Sequence, residues 1–351
     1  MSNAQTDTPT AVMKRLLLIL SLVAFAACSS ETLDSADKRK EESVIHFGNL
    51  DTREVISDAN PISQFGVFAE MNMGEESNEY VKLLENERVY EENGEWTYDN
   101  KRYWIDNRTF HFFAVYPYFN PSKVQPANLV QSGITYSGYQ INFETPSTAD
   151  QDLLVDMTTV RILGDNDNAQ NENGEELETS YPTVNFDFAH ILSKINLKVA
   201  KHAENSGNTI KITSLTINGM RSSGSYCVSR SSSYIANWSN LTGAMRYSAT
   251  FEDQEIEVEG TELLDKGLLL IPQSIAVEQI AITISYDYYD VNGSVNDSFT
   301  ATTYIPAGSW VADTEYVYTM TLNAVDNNIY FSAPQISPWG EREVGGSIVI
   351  M

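Results

Sequence analysis

The residues of this chain that could do chemistry are its four histidines and its many carboxylates. The histidines, His46, His111, His190 and His202, are scattered and lack the short intervals of a zinc site. The first three lie in or beside apolar strand patterns, so we interpret them as packed core or edge residues. An acidic run from Asp165 to Glu178 could offer oxygens to calcium. Gln170, however, stands where a helix-loop-helix calcium motif needs glycine, so a solvated connector is the better interpretation.

Known catalytic sequence motifs are also missing from the chain. Neither a Gly-x-Ser-x-Gly elbow, nor a phosphate-binding glycine loop, nor a zinc-protease helix occurs. Two carboxylates can meet in space in any acidic chain, so the sequence alone leaves a glycosidase open. We predict that the protein is not an enzyme and has no catalytic residues, no metal and no cofactor. The net charge of −26 repels phosphate, which excludes nucleic acid as a partner.

The first cysteine stands at the end of an export signal. Lys14 and Arg15 precede an apolar run over Leu16–Ala24, which is too short to span a membrane but suits a secretory signal. The segment ends in small residues before Cys28 and resembles a bacterial lipoprotein signal, in which Cys28 is acylated and becomes the mature N-terminus. We predict a signal peptide over 1–27 and lipid on Cys28. The alternative is an ordinary signal peptide with a cysteine nearby by chance.

The second cysteine, Cys227, has no partner if Cys28 carries lipid, because the chain contains only these two. We therefore predict no intramolecular disulfide. Cys227 lies among strand-forming residues and is expected to pack as a small apolar side chain. A reactive thiol is the alternative.

Turn-bounded runs of β-branched and aromatic residues dominate the chain and predict an all-β fold of antiparallel sandwiches. The clearest case is the alternation of apolar and polar residues from Ile280 to Tyr288, repeated from Tyr316 to Leu322. An Asn-Gly pair within Asp290–Gly293 predicts a hairpin turn after the first of these strands. Six clustered aromatics are expected to fill the core, with sugar binding as the alternative: Trp96, Tyr98, Tyr103, Trp104, Tyr116 and Tyr118.

The sequence also predicts local structure in three other regions. A short first strand is expected over Val44–Phe47, followed by a polar connection at Thr52–Glu54. The charged segment Asn78–Glu91 is expected to form a short surface helix or a loop. Strands are expected over Thr183–Phe188 and Lys194–Lys201, with a turn between them.

Composition divides the chain into four parts. After the signal peptide, residues 28–53 hold a polar tether and a first strand. The acidic loop separates two β-rich halves, so we place a boundary near Pro182. This gives an N-terminal sandwich over 54–182 and a C-terminal sandwich over 183–351.

Several segments in order resemble the fimbrillin family, the type V pilins and accessory pilus subunits of Bacteroidales. The matching pieces are Cys28–Glu31, Ile45–Phe47, Asp51–Arg53, Phe65–Ala69, Phe112–Pro117, Asp152–Val155, Phe186–Ile195, Leu269–Gln273, Tyr316–Leu322, Ile329–Phe331 and Ile336–Trp339. Each piece is weak alone, but together they cover nearly all of the mature chain.

This resemblance implies two transthyretin-like antiparallel β-sandwich domains in tandem. It also implies a lipidated precursor that reaches the outer membrane and is cut after Arg53 by an Arg-specific protease, making Arg53–Glu54 the scissile bond. Removal of Val44–Leu50 would open a groove, which a strand from another subunit fills. The donor would be the C-terminal region, through Ile329 and Phe331 or the tail Ser347–Ile350.

The sequence therefore predicts a stalk or tip subunit of a cell-surface fimbria, assembled with other fimbrial subunits by β-strand donation and serving adhesion. One alternative is an anchor or accessory subunit that keeps the lipid on Cys28 and its first strand. The other is a surface glycan-binding lipoprotein. For Arg53, the plain alternative is an arginine in an exposed polar linker with no processing.

Overall fold

The computed structural model describes residues 43–52, 62–73, 79–119, 124–131, 134–162, 181–229, 236–289, 292–293 and 295–339. Apart from a short 3-10 helix at Ala203–Asn205, regular structure in these ranges consists of strands, which confirms the all-β prediction. In chain order the strands are β1 (Phe47–Thr52), β2 (Gln64–Asn72), β3 (Tyr80–Glu92), β4 (Glu95–Thr97), β5 (Arg108–Tyr116), β6 (Val124–Gln131), β7 (Ile134–Glu144), β8 (Leu154–Ile162), β9 (Val184–His190), β10 (Ser193–Lys201), β11 (Thr209–Met220), β12 (Ser223–Ser229), β13 (Ala236–Thr242), β14 (Met245–Glu255), β15 (Thr261–Glu262), β16 (Leu268–Leu270), β17 (Ser274–Ile275), β18 (Ala281–Tyr289), β19 (Val295–Tyr304), β20 (Gly308–Ser309), β21 (Thr314–Asn323), β22 (Asn328–Phe331) and β23 (Gln335–Pro338).

The largest sheet has seven strands in the order β1-β9-β8-β5-β2-β3-β4. Its central strands are buried on both faces. On β2, Phe65 and Val67 belong to one core cluster, whereas Phe68 belongs to another. The second cluster also contains Tyr139 and Ile141 from the four-stranded sheet β13-β12-β7-β6. The seven-stranded sheet therefore encloses an aromatic core on one side and packs against a second sheet on the other.

Most of the remaining strands form a second pair of sheets, and β17 and β20 pair as a separate two-stranded sheet. One sheet of the pair follows the order β15-β10-β21-β22, with β16 paired to β10 and β23 paired to β21, and the other is β14-β11-β18-β19. Between them lies an apolar cluster that includes Ile282, Ile284 and Tyr286, as the alternation along β18 predicts. Strands β18 and β19 pair antiparallel on either side of Gly293, whose φ of +78° suits glycine in a hairpin turn.

Two ladders differ from the antiparallel expectation. Strand β1 pairs parallel with β9, and β10 pairs parallel with β21. Both pairs join residues far apart in sequence, as parallel strands require. The sheets that contain them are therefore mixed.

The prediction of a helix or loop over Asn78–Glu91 is wrong, because residues 80–91 form most of β3. The strand carries an irregularity in its pairing with β2, and Asn86 adopts a φ of +49° within it. A bulge of this kind interrupts the strict alternation of buried and exposed residues. Leu84, Asn86 and Val89 are buried, while charged side chains between them face outward.

The predicted boundary near Pro182 stays a prediction. The seven-stranded sheet continues across this position, since β9 follows it and pairs with both β8 and β1. The hairpin β12–β13 also lies later in the chain but pairs with β7.

Within the described ranges, no helix is long and apolar enough to cross a membrane.

Cys227 lies on β12 with 7% of its surface exposed, as expected for a packed strand residue. Burial raises the pKa of its thiol, so less of the reactive thiolate is present at a given pH than in an exposed cysteine. We expect a thiol reagent at pH 8 to label Cys227 at least about tenfold more slowly in the folded chain than in denaturant. Peptide-resolved mass spectrometry measures this, and equal rates in the two states would contradict it.

Candidate functional site

The first described segment, residues 43–52, contacts both ends of the seven-stranded sheet. Its beginning pairs with the chain that follows β4. The Ile45 amide donates to the Arg102 carbonyl at 2.8 Å, and the Trp104 amide donates to the Ser43 carbonyl at 2.8 Å. Val44 forms a single antiparallel bridge with Tyr103 between these bonds. The segment is thus fixed on one side before β1 begins.

The other side of the segment is the parallel ladder with β9. Phe47 lies opposite Val184, and Leu50 lies opposite Phe186 after an irregularity in register. The Val184 amide donates to the His46 carbonyl at 2.8 Å. A Cβ at Gly48 would collide with the Asn185 side chain, so glycine lets β1 lie close against its neighbour.

The segment inserts two apolar side chains into the core. Ile45 is fully buried and Phe47 is 5% exposed. The Phe47 ring contacts Tyr98 at 5.2 Å and Phe112 at 6.2 Å edge-to-face, and stacks on Phe186 at 5.9 Å between centroids. Phe112 lies on β5, Phe186 lies on β9 and Tyr98 follows β4, so Phe47 joins three separate parts of the chain into one cluster.

One polar contact reinforces this packing. The Tyr98 hydroxyl donates to the Ile45 carbonyl at 3.0 Å and accepts from the Arg102 amide at 3.0 Å. Burial raises the pKa of this hydroxyl, which keeps it protonated and able to donate. Loss of the segment would leave the Tyr98 hydroxyl without this acceptor in a largely apolar surrounding.

The predicted first strand is only partly correct. The regular strand is Phe47–Thr52 rather than Val44–Phe47, and Val44 contributes an isolated bridge. Thr52, predicted to lie in a polar connection, is paired with Phe188. The predicted lipidation residue Cys28 and the predicted processing residues Arg53 and Glu54 lie outside the described residues, although Arg53 follows β1 directly in sequence.

The aromatic cluster mostly fills the core, as predicted. Tyr98 and Trp104 are 2% and 4% exposed, and Trp96 packs against Phe65 at 5.2 Å. Tyr116 is also partly buried against the same core. Tyr103 and Tyr118 are the exposed members, each at 37%. Trp104 therefore presents no free ring face of the kind that binds sugars.

The histidines and carboxylates of the described residues do not form a metal site. No group of three or more His, Cys, Asp or Glu side chains in these ranges is arranged to hold an ion. His46 is exposed on the first segment, and the His111 ring lies 2.9 Å from the Thr159 hydroxyl. His190 is fully buried as a side chain and is paired with Asp152 at 3.1 Å, a partnership that the sequence did not indicate.

A cavity of about 740 Å³ opens where β8 and β9 diverge, beside Leu50 at the end of the segment. Asp156 and Asp187 are among its lining residues. Asp156 accepts the backbone amides of Met157 at 2.7 Å and Asp187 at 3.0 Å. Burial nevertheless raises the pKa of the Asp156 carboxyl. Its two oxygens are used to hold backbone in place, so we interpret it as a structural cap between the diverging strands.

Fold and site together define a class of protein: an all-β chain whose first described strand fills an apolar groove at a sheet edge and joins both ends of that sheet. The chain belongs to the Fimbrillin-like family, whose model matches residues 52–339. This confirms the resemblance inferred from the sequence.

The fold is shared with a solved structure. The chain is similar to a fimbrial protein from Bacteroides vulgatus ATCC 8482, with a TM-score of 0.59 and 20% identity over 85% of this chain and 99% of that one. A putative cell adhesion protein from Bacteroides ovatus ATCC 8483 matches with a TM-score of 0.46 and 19% identity over 86% of this chain and 98% of that one. No curated protein matches the chain.

Proposed function

We propose that this protein is a structural subunit of a cell-surface fimbria and serves adhesion. It is exported as a lipoprotein acylated on Cys28, held at the outer membrane, and cut after Arg53 by an Arg-specific protease. Other fimbrial subunits then join it by strand exchange. The observation that carries the proposal is the burial of Ile45 and Phe47: the segment whose strand ends beside the predicted cleavage bond places both side chains in a core of the same chain.

The energetics of removal support this mechanism. Burying Ile45 and Phe47 is worth about 1.5–3 kcal/mol each, so the segment is a substantial part of a marginal stability. Its loss would expose the rings of Tyr98, Phe112 and Phe186 and the β9 edge that now pairs with β1. An apolar groove beside a vacated strand edge favours addition of another strand.

In this proposal the donor is the C-terminal region of another subunit. The tripeptide Ile329–Phe331 resembles Ile45–Phe47. In each, an aliphatic and an aromatic residue flank one exposed residue. Ile329 is 4% exposed on β22, whereas Tyr330 is 45% exposed. The tail Ser347–Ile350 is the other predicted donor and lies outside the described residues.

The N-terminus of the protein in purified fimbriae tests the proposal. A stalk or tip subunit is expected to begin at Glu54, because cleavage after Arg53 removes the lipid and the first strand together. Mass spectrometry of fimbriae sheared from cells measures this directly. A chain that still begins at acylated Cys28 would support the anchor alternative, and a chain absent from fimbriae would contradict both.

A further inference from the structure

Trp339 is a buried residue at the end of an exposed strand. All four residues of β23, Gln335–Pro338, are exposed, and Ile336 is 61% exposed. Trp339, the next residue, is only 2% exposed. It belongs to the core cluster that contains Phe68, Phe113 and Tyr139 of the first two sheets. An exposed edge strand is thus held at its end by one indole ring inserted into another pair of sheets.

The indole packs on a buried pair of side chains, His190 and Asp152. Its ring stacks on the imidazole of His190, with 3.7 Å between centroids and 14° between planes. His190 Nδ1 lies 3.1 Å from the carboxylate of Asp152, whose oxygen also accepts the Leu153 amide at 2.7 Å. Asp152 lies just before β8, His190 ends β9 and Trp339 follows β23, so the stack joins segments that are far apart in sequence.

Backbone hydrogen bonds and one lysine side chain also hold Trp339 in place. The Trp339 amide donates to the Asp313 carbonyl at 3.0 Å, and the Asp313 amide donates to the Leu192 carbonyl at 3.0 Å. Lys194 places its ammonium 5.9 Å from the Trp339 ring and forms an ion pair with Glu315 at 3.2 Å. Asp313 and Glu315 border the start of β21, the strand on which β23 lies, so the anchor also secures the ladder that holds β23.

Strand β9 connects Trp339 and its partner His190 to residues 43–52, the segment that the proposed cleavage would remove. Residues Val184–Phe188 of β9 pair with β1, and His190 follows two residues later. The ladder of β9 with β8 covers only His190 and Ala189, opposite Leu154 and Val155. If β1 leaves, most of β9 loses its ladder partner, and the strand that supports Trp339 gains freedom to open locally.

We propose that Trp339, seated on His190 and Asp152, is a positioning residue that holds the C-terminal segment on its own subunit until β1 is displaced. Displacement of β1 loosens β9, β9 loosens the indole, and β23, which lies between the two predicted donor segments, loses its anchor. This rests on the proposed function, since it supplies the coupling between trimming at one end of the chain and donation from the other.

Hydrogen exchange on the full chain after the signal peptide tests the anchor. In Trp339→Ala we expect the amides of residues 314–317 and 335–337, in the ladder of β21 with β23, to exchange at least about tenfold faster. Trp339→Phe, which keeps an aromatic ring to stack on His190, should restore most of the protection. Ile336→Ala is the matched control, because it lies on the same strand but is exposed. The ladder of β11 with β18 serves as the internal reference for intact folding.

The coupling is tested by loosening β1 without any cleavage. Phe47→Ala, or the milder Phe47→Leu if the former unfolds the reference ladder, should raise amide exchange in residues 335–337 by at least about threefold. His46→Ala, exposed on the same segment, should leave it unchanged. Unaltered exchange in Trp339→Ala would overturn the anchor, and unaltered exchange in the Phe47 variants would overturn the coupling. Neither readout requires cleavage or polymerisation, so these results are separate from those that test fimbrial assembly.

Discussion

An Arg53→Ala variant is expected to keep the lipid on Cys28 together with its first strand and to form no fimbriae. Proteases that select arginine bind its charged guanidinium in a polar pocket, and a substrate lacking this group leaves that pocket unpaired. We expect trimming at this bond to fall at least about a hundredfold. The segment 43–52 would then stay in its groove and exclude a donor strand. Immunoblots of cell envelopes and sheared fimbriae measure the two forms.

The tether offers a matched control for this variant. Arg39 lies in the polar tether and precedes the first strand, so cleavage there would not free residues 43–52 from the body of the chain. Arg39→Ala should therefore assemble normally, and its fimbrial form should begin at Glu54. If Arg53→Ala polymerises as well as the parent chain, cleavage at this bond has no part in assembly.

The geometry of β1 reconciles firm binding with removal. Two buried side chains and bonds to two different partners hold the segment in place. The same segment lies at the edge of its sheet, and its ladder with β9 is parallel and interrupted between Phe47 and Leu50. Edge strands of this kind can be exchanged without breaking the sheet behind them. Side-chain burial therefore provides most of the attachment, and an equally apolar donor could replace it.

Local patterning predicted the strands with one buried face. Ile282, Ile284 and Tyr286 alternate with polar residues along β18, and their burial follows this period. The same holds for Tyr316, Tyr318 and Met320 on β21. In these strands the alternation of neighbouring residues indicates which side chains face the core, so the sequence alone predicts their burial.

Two kinds of feature escaped local patterning. In β3, the left-handed conformation of Asn86 shifts the alternation, so the charged residues around Leu84 and Val89 resembled a surface helix. In β1, the irregularity after Phe47 hid the continuation of the strand to Thr52. Pairing of β1 with β9 has no local signal at all, because the partners are separated by more than a hundred residues.

The site itself was partly predictable. Ile45 and Phe47, two residues apart, indicated an inward face, and both side chains are buried. The rings that surround Phe47 could be assigned to the core as a group but not as its specific partners. His190, Asp152 and Trp339 each stood in a family-like segment, yet their contact depends on how β8, β9 and β23 converge. Convergence of distant segments is a property of the tertiary fold.

The largest effect on stability is expected from Phe47→Ala in the untrimmed chain. Truncation removes the ring that joins Tyr98, Phe112 and Phe186 and leaves a cavity between them. Substitutions of this type cost about 3–5 kcal/mol, a large share of a typical stability of about 5–15 kcal/mol. At about 2–4 °C per kcal/mol for a domain of this size, the melting temperature should fall by roughly 10 °C. Differential scanning calorimetry of purified protein measures the change.

His46→Ala provides the comparison on the same segment. Its side chain is exposed, and its contribution to the ladder is the backbone carbonyl that accepts from Val184, which alanine retains. We expect its unfolding free energy to stay within about 0.5 kcal/mol of the parent. Because Phe47→Ala weakens the hold of β1 while leaving the Arg53–Glu54 bond uncut, strand exchange should also produce some multimers of this variant before cleavage. Equal unfolding free energies of the two variants would mean that burial of Phe47 does not hold the segment in place. A donor strand would then gain little stabilisation by binding in the same groove.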